Sequence, residues 1–126
     1  MNQLFALAES QGITVQEAEL RTFRGFYVPA YRTVVLSSLL NEVQKRSTFA
    51  HELGHAYYDD STAPSDQVAE FQERRANEWA AELLIDPYEY ERAETLYGPH
   101  PGGLAQALGV TRELVEAFRM TFARCA

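Results

Sequence analysis

Residues 41–57 constrain this chain more than any other stretch. A helix over that span puts Phe49, Leu53 and Ala56 on one side and His51 and His55 on the other. Residues four apart stand one turn apart on the same face, so both imidazoles can reach a single point in space. Glu52 is rotated by about 100° from His51 and stands beside that point rather than over it. The helix therefore buries one side and offers its histidines on the other. Gly54 falls between the histidines and, on the sequence alone, keeps their side uncrowded despite its cost to the helix.

This His-Glu-x-x-His spacing is that of a zinc site. Such a site fixes the ion, lowers the pKa of its water and polarises a substrate carbonyl. Glu52 would take the water's proton and return it to a departing amine. A merely structural histidine pair is the bland alternative, and the helical setting with its apolar back face weighs against it. Zinc with an open catalytic position needs one further protein ligand. A second long helix over residues 67–84 offers several glutamates. On a helical wheel Ala76, Ala80, Leu84 and Asn77 fall within about 60° of Glu73, whereas Glu78 and Glu82 fall roughly 140–180° away. Glu73 thus sits in the apolar stripe, and a carboxylate aimed into a core is costly unless it is paired or binds a metal. Glu73 is the expected third ligand. Asn77, one turn later, could hydrogen-bond a ligating histidine. Glu78 and Glu82 read as solvated or paired with an arginine. Manganese or iron could fill the same ligands, although two imidazoles and a carboxylate suit zinc.

The remaining pattern is that of a small α+β domain. Residues 2–10 read as a helix stopped at Gly12, and 13–15 as a brief strand. Residues 20–28 and 31–36 are rich in β-branched and aromatic types, which predicts a hairpin or neighbouring strands of a short antiparallel sheet, with Pro29 at the bend or on an edge. An edge strand could hold an extended peptide over the metal, and 31–36 is the natural candidate. Residues 59–65 read as a loop, Asp86-Pro87 as the start of a third helix, 98–103 as a break, and 104–108 and 111–123 as two closing helices. With no repeat and no long linker, residues 1–126 are expected to form a single domain, with a core over 13–90 and a helical tail over 87–123. His100, between two prolines, reads as a loop histidine more than as a ligand or oxyanion donor. Tyr27, Tyr31, Tyr57 and Tyr58 could each donate to an oxyanion, and the sequence does not choose among them. Trp79 and Phe71 read as core or subunit-contact aromatics.

Composition narrows the classes. The formal charge of −7, with only Arg74, Arg75 and Arg92 among the acidic residues of 59–94, works against direct nucleic-acid binding. No apolar run is long enough to span a membrane, and the first residues do not read as a secretion signal. Cys125 is the only cysteine and a poor nucleophile beside the terminus. A lone cysteine fits a reducing cytoplasm.

These residues resemble the ImmA/IrrE family of metallopeptidases. The resemblance lies in Ser47-Thr-Phe-Ala-His-Glu-Leu-Gly-His55, followed by Glu73-Arg-Arg-Ala-Asn-Glu-Trp-Ala-Ala-Glu-Leu-Leu84, with Gly25-Phe-Tyr27 and Val34-Val-Leu36 before them. It implies a zincin-like domain in which a short sheet packs on the His-Glu-x-x-His helix and a glutamate-bearing helix. It carries over His51, His55 and Glu73 as zinc ligands and Glu52 as catalytic base. Characterised members are intracellular proteases of phages, integrative elements and bacteria, and they typically cut a helix-turn-helix transcriptional repressor. The resemblance therefore implies an endopeptidase, an anti-repressor acting on a protein partner. The alternative is a binding module that sequesters a repressor without cutting it; a small-molecule metallohydrolase also stays open. Residues 104–115 resemble a DNA-binding helix-turn-helix in spacing, but the family's similar tail often packs on the core.

Overall fold

The computed structural model describes residues 1–125, the side chain of Cys125 excepted. Helix α1 (Asn2–Ser10) leads into β1 (Thr14–Ala18), β2 (Gly25–Val28), a single 3-10 turn (Pro29–Tyr31) and β3 (Thr33–Ser37). The strand order is β1-β3-β2. β2 and β3 form the expected antiparallel pair, with Phe26 opposite Val35 and Tyr27 opposite Val34. β1, however, runs parallel to β3, with Val15 opposite Val34, so the sheet is mixed rather than purely antiparallel. The reason is the connection over 19–24, which carries the chain past the central position; the hairpin then returns β3 between the two earlier strands. The bend at Pro29 is where the missing N–H costs no ladder bond.

Alternation along β3 turns Val34 and Leu36 into the core, both essentially inaccessible. Gly25, opposite Leu36, faces the same way. A Cβ there would lie 2.7 Å from the Val35 carbonyl oxygen and 3.1 Å from Thr48 Cγ2, so only glycine lets β2 approach the next helix.

That helix, α2 (Glu42–Tyr57), starts at a capping box. Asn41 Oδ1 accepts from the Gln44 N–H at 2.8 Å, and Gln44 Oε1 accepts from the Asn41 N–H at 3.1 Å. Such a cap contributes about 1 kcal/mol. Phe49, Leu53 and Ala56 are buried as the helical pattern requires, and Phe5 of α1 meets the Phe49 ring edge-on at 5.0 Å.

Ser65 caps α3 (Asp66–Leu84) by accepting from the Val68 N–H. Asp86 likewise caps α4 (Pro87–Tyr97), whose first residue is the expected proline. Helix α5 (Pro101–Leu108) begins three residues before the expected 104, within the 98–103 break. Pro101 opens it, and the His100 ring accepts from the Gly102 N–H at 3.0 Å. Helix α6 (Arg112–Cys125) lays Leu114, Val115 and Phe118 into the core against α3. Glu78 pairs with Arg124 across that contact. Among the described residues no helix is long and apolar enough to cross a membrane.

Candidate metal centre

Two small residues set the geometry of the site. A Cβ on Gly54 would lie 3.0 Å from the carbonyl oxygen of Ala76, 3.1 Å from its Cα and 3.3 Å from Trp79 Cε3. Gly54 is therefore the contact through which α2 and α3 approach each other, not a device that keeps the histidine side open. The sequence could not show this because the crowding atoms belong to the other helix. His51 and His55 lie three before and one after Gly54, while Glu73 and Asn77 lie three before and one after Ala76. The close crossing thus brings both pairs face to face.

Both imidazoles converge on one carboxylate oxygen. Glu73 Oε2 lies 2.9 Å from His51 Nε2 and 2.6 Å from His55 Nε2, and the two Nε2 atoms are 3.1 Å apart. The far side of each ring is engaged elsewhere. His51 Nδ1–H donates to Asn77 Oδ1 at 2.7 Å, and His55 Nδ1–H donates to Asp60 Oδ2 at 2.9 Å. These bonds occupy the Nδ1 side of each ring and aim Nε2 at the convergence point, so a bound ion at that point would meet two Nε2 lone pairs. Zinc with ligands at about 2.0–2.1 Å in a tetrahedron spaces them roughly 3.3 Å apart. The three donor atoms, now 2.6 to 3.1 Å from one another, are close to that spacing and of the right chemical types for the ion.

Glu52 stands alongside. It is buried, its Oε2 is 4.0 Å from His51 Nε2, and it accepts no hydrogen bond from the described residues. His51, Glu52 and His55 offer ligand atoms all within 4.8 Å of one another. Burial pushes the Glu52 carboxyl above the usual carboxylate range, and the Glu73 charge adds to that, while the two histidines oppose it. Hydrogen bonds from His51 and His55 hold Glu73 well below its ordinary value. Burial works against charge on His55, but the bonds to Glu73 and Asp60 and the charge of Glu52 outweigh it and push the imidazole up to about 9.

The wheel aims Glu73 into the core, and the structure does not place it there. Its side chain is 60 % exposed at the rim of a cleft. The apolar stripe of α3 becomes core only from Ala76 onward, so Glu73 shares its direction with Ala80 but not its burial. The cleft has two depressions, of about 200 Å³ and about 400 Å³, and Gly25 and Glu52 line both. Arg24, Thr48 and Leu114 wall the smaller one. Phe26, Tyr27, Pro29 and Thr62 wall the larger. The strand along this cleft is β2, not residues 31–36. β3 is the central strand, with β1 and β2 occupying its two edges.

Among the tyrosines, Tyr31 and Tyr57 are well exposed, and Tyr58 is covered by the Arg75 guanidinium, 3.9 Å from its ring centre. Tyr27 alone lines the cleft, with its hydroxyl buried and unpartnered. His100 serves as a helix cap. Trp79 packs against the core beside Tyr57, whereas Phe71 is partly exposed beneath Arg75. Asp60 has no role in the sequence reading, which treats 59–65 as a loop. The available signal was an aspartate five residues beyond the second histidine, but its direction depends on the turn at Asp59.

A family model described as Peptidase_M78, the IrrE N-terminal-like domain, matches residues 8–119. Among solved structures, a Mycobacterium tuberculosis transcriptional regulator superposes with a TM-score of 0.66 at 22 % identity, over 92 % of this chain and 39 % of that one. The chain thus spans about two-fifths of that regulator's length, and the likeness speaks to fold alone. No curated protein gives a significant match.

Proposed function

Because the chain belongs to the IrrE N-terminal-like domain family of metallopeptidase-type proteins, we propose that it is a zinc-dependent endopeptidase that cuts a protein partner. The observation that carries this is the convergence of His51 Nε2, His55 Nε2 and Glu73 Oε2, with the unbonded carboxylate of Glu52 beside them. His51, His55 and Glu73 would hold the ion, and Asn77 would orient His51. When bound, zinc supplies Lewis acidity toward a carbonyl and lowers the pKa of a water molecule. Glu52 takes the proton of the attacking water and delivers it to the departing amine as the C–N bond breaks. Its place on the cleft floor, with no competing hydrogen bond, leaves the carboxylate free for both transfers.

An extended peptide adding to the open edge of β2 in antiparallel sense fits this cleft. Its N-terminal part would pass Phe26 and Pro29, its C-terminal part Arg24 and Thr111, with the scissile carbonyl above Glu52. Residues 1–126 would act as one catalytic unit in the cytoplasm, and the partner would be a helix-turn-helix repressor, as for the family members that cut one. The test is co-expression with any helix-turn-helix regulator found encoded beside the gene, wild type against Glu52→Gln, with the regulator's intact mass as readout. A cut made only by the wild type supports catalysis and identifies the partner. An uncut regulator held in a stable complex by both proteins overturns cleavage in favour of sequestration.

A further inference from the structure

His55 is gripped from behind by an assembly that the catalytic chemistry does not use. At the end of α2, Asp59 takes a left-handed conformation (φ 54°), which is uncommon for a residue with a side chain. The chain therefore doubles back, and the Asp60 N–H donates to the His55 carbonyl oxygen at 2.9 Å. Asp60 is itself buried, and its two oxygens have separate partners. Oδ2 accepts from His55 Nδ1–H at 2.9 Å, and Oδ1 accepts from the Arg75 guanidinium at 2.8 Å. Arg75 in turn lies over the Tyr58 ring, 3.9 Å from its centre, and near the Phe71 ring, at 4.8 Å.

From this geometry we propose that Asp60 is a positioning residue for the metal site, with Arg75 as its clamp; the proposal rests on the reading of His55 as a ligand. Both nitrogens of the His55 ring are tied to α3. Glu73 meets Nε2 directly, and Arg75 reaches Nδ1 through Asp60. His55 lies in the last turn of α2, so the support behind its ring comes from the turn that follows and from α3. The carboxylate fixes the proton on Nδ1 and turns Nε2 toward His51 and Glu73, and it raises the basicity of the nitrogen that would bind the ion. A buried carboxylate is costly unless it is paired, and Arg75 supplies the pairing. Contact with the two aromatic rings favours this placement of the guanidinium. Asn77 has the corresponding place behind His51 but is neutral, so the two histidines are supported unequally, and the loss of Asp60 should matter more than its distance from the reacting atoms implies.

The test is the affinity of the full chain for zinc alone, measured by competition with a chromophoric chelator. Wild type is compared with Asp60→Ala, Asp60→Asn and a charge-matched control, Asp59→Asn. Cobalt(II) replaces zinc in a parallel series, with its visible absorption reporting ligand geometry. Asp60→Ala is expected to weaken zinc binding about 10–100-fold, the usual effect of losing a partner behind a metal-bound histidine. The cobalt spectrum should shift in the same variant, a change that a merely structural ion pair would not produce. Asp60→Asn, which keeps an acceptor but no charge, should fall between, and Asp59→Asn should stay close to wild type. If Asp60→Ala does not fold, Arg75→Met leaves Asp60 in place without its clamp and should weaken zinc binding in the same direction. Wild-type zinc affinity and an unchanged cobalt spectrum in a folded Asp60→Ala or Arg75→Met protein would overturn the proposal and leave the reading of the site intact. A wild-type chain that takes up no zinc overturns both.

Discussion

Replacing Gly54 by alanine separates two accounts of the same residue. Helix propensity alone favours alanine by about 1 kcal/mol in a helix interior. The structure opposes this, because the new methyl would sit 3.0 Å from the Ala76 carbonyl oxygen, 3.1 Å from its Cα and 3.3 Å from Trp79. Comfortable carbon contacts begin near about 3.5 Å. Two of the three crowding atoms are α3 backbone and cannot rotate away, so α3 must retreat by roughly 0.5 Å. Overpacking of this kind costs about 1–3 kcal/mol, which exceeds the propensity gain and leaves a net loss of about 1 kcal/mol. For a domain of this size the melting temperature should fall by about 3–5 °C. Because Glu73 and Asn77 flank Ala76, the same retreat draws both away from the histidines, and zinc affinity should drop by about tenfold. Thermal unfolding followed by circular dichroism in chelator measures the first effect, and chelator competition measures the second. A Gly54→Ala protein that is more stable, with unaltered zinc affinity, would refute the claim that this contact sets the site.

Glu52→Gln should keep its zinc and its fold while peptide cleavage falls by about 10²–10⁴-fold, the usual share of a positioned proton carrier. Metal analysis and a turnover assay on the same sample check this, and full activity in the variant would remove Glu52 from its role. Tyr27→Phe deletes a buried hydroxyl that has no partner, so its melting temperature should hold or rise. A loss of about 1–3 kcal/mol in Tyr27→Phe would mean that the hydroxyl is bonded after all.

Much of the site was legible because helical periodicity is local. The spacing of His51 and His55, the apolar back face of α2, and the common direction of Glu73 and Asn77 follow from one angle per residue, and the structure brings those four side chains together. The start of α4 at Asp86-Pro87 was readable from equally local signals. What the sequence hid depends on partners far along the chain. The edge position of β2 follows from the parallel pairing of β1 with β3, which no local pattern encodes. The crowding at Gly54 belongs to α3. Asp60 acquires its direction from a left-handed turn and its charge partner from Arg75, fifteen residues on. The wheel gives Glu73 its direction but not its burial, because it reports angle and not where along the helix the core ends.

The central claim is that His51, His55 and Glu73 together hold one divalent ion. Native mass spectrometry of the zinc-treated chain, wild type beside Glu73→Ala, tests it most directly. One zinc per wild-type chain, with binding in Glu73→Ala weakened by more than the roughly 10–100-fold that an outer partner contributes, is the result expected. Equal zinc occupancy in both proteins at limiting zinc would contradict it.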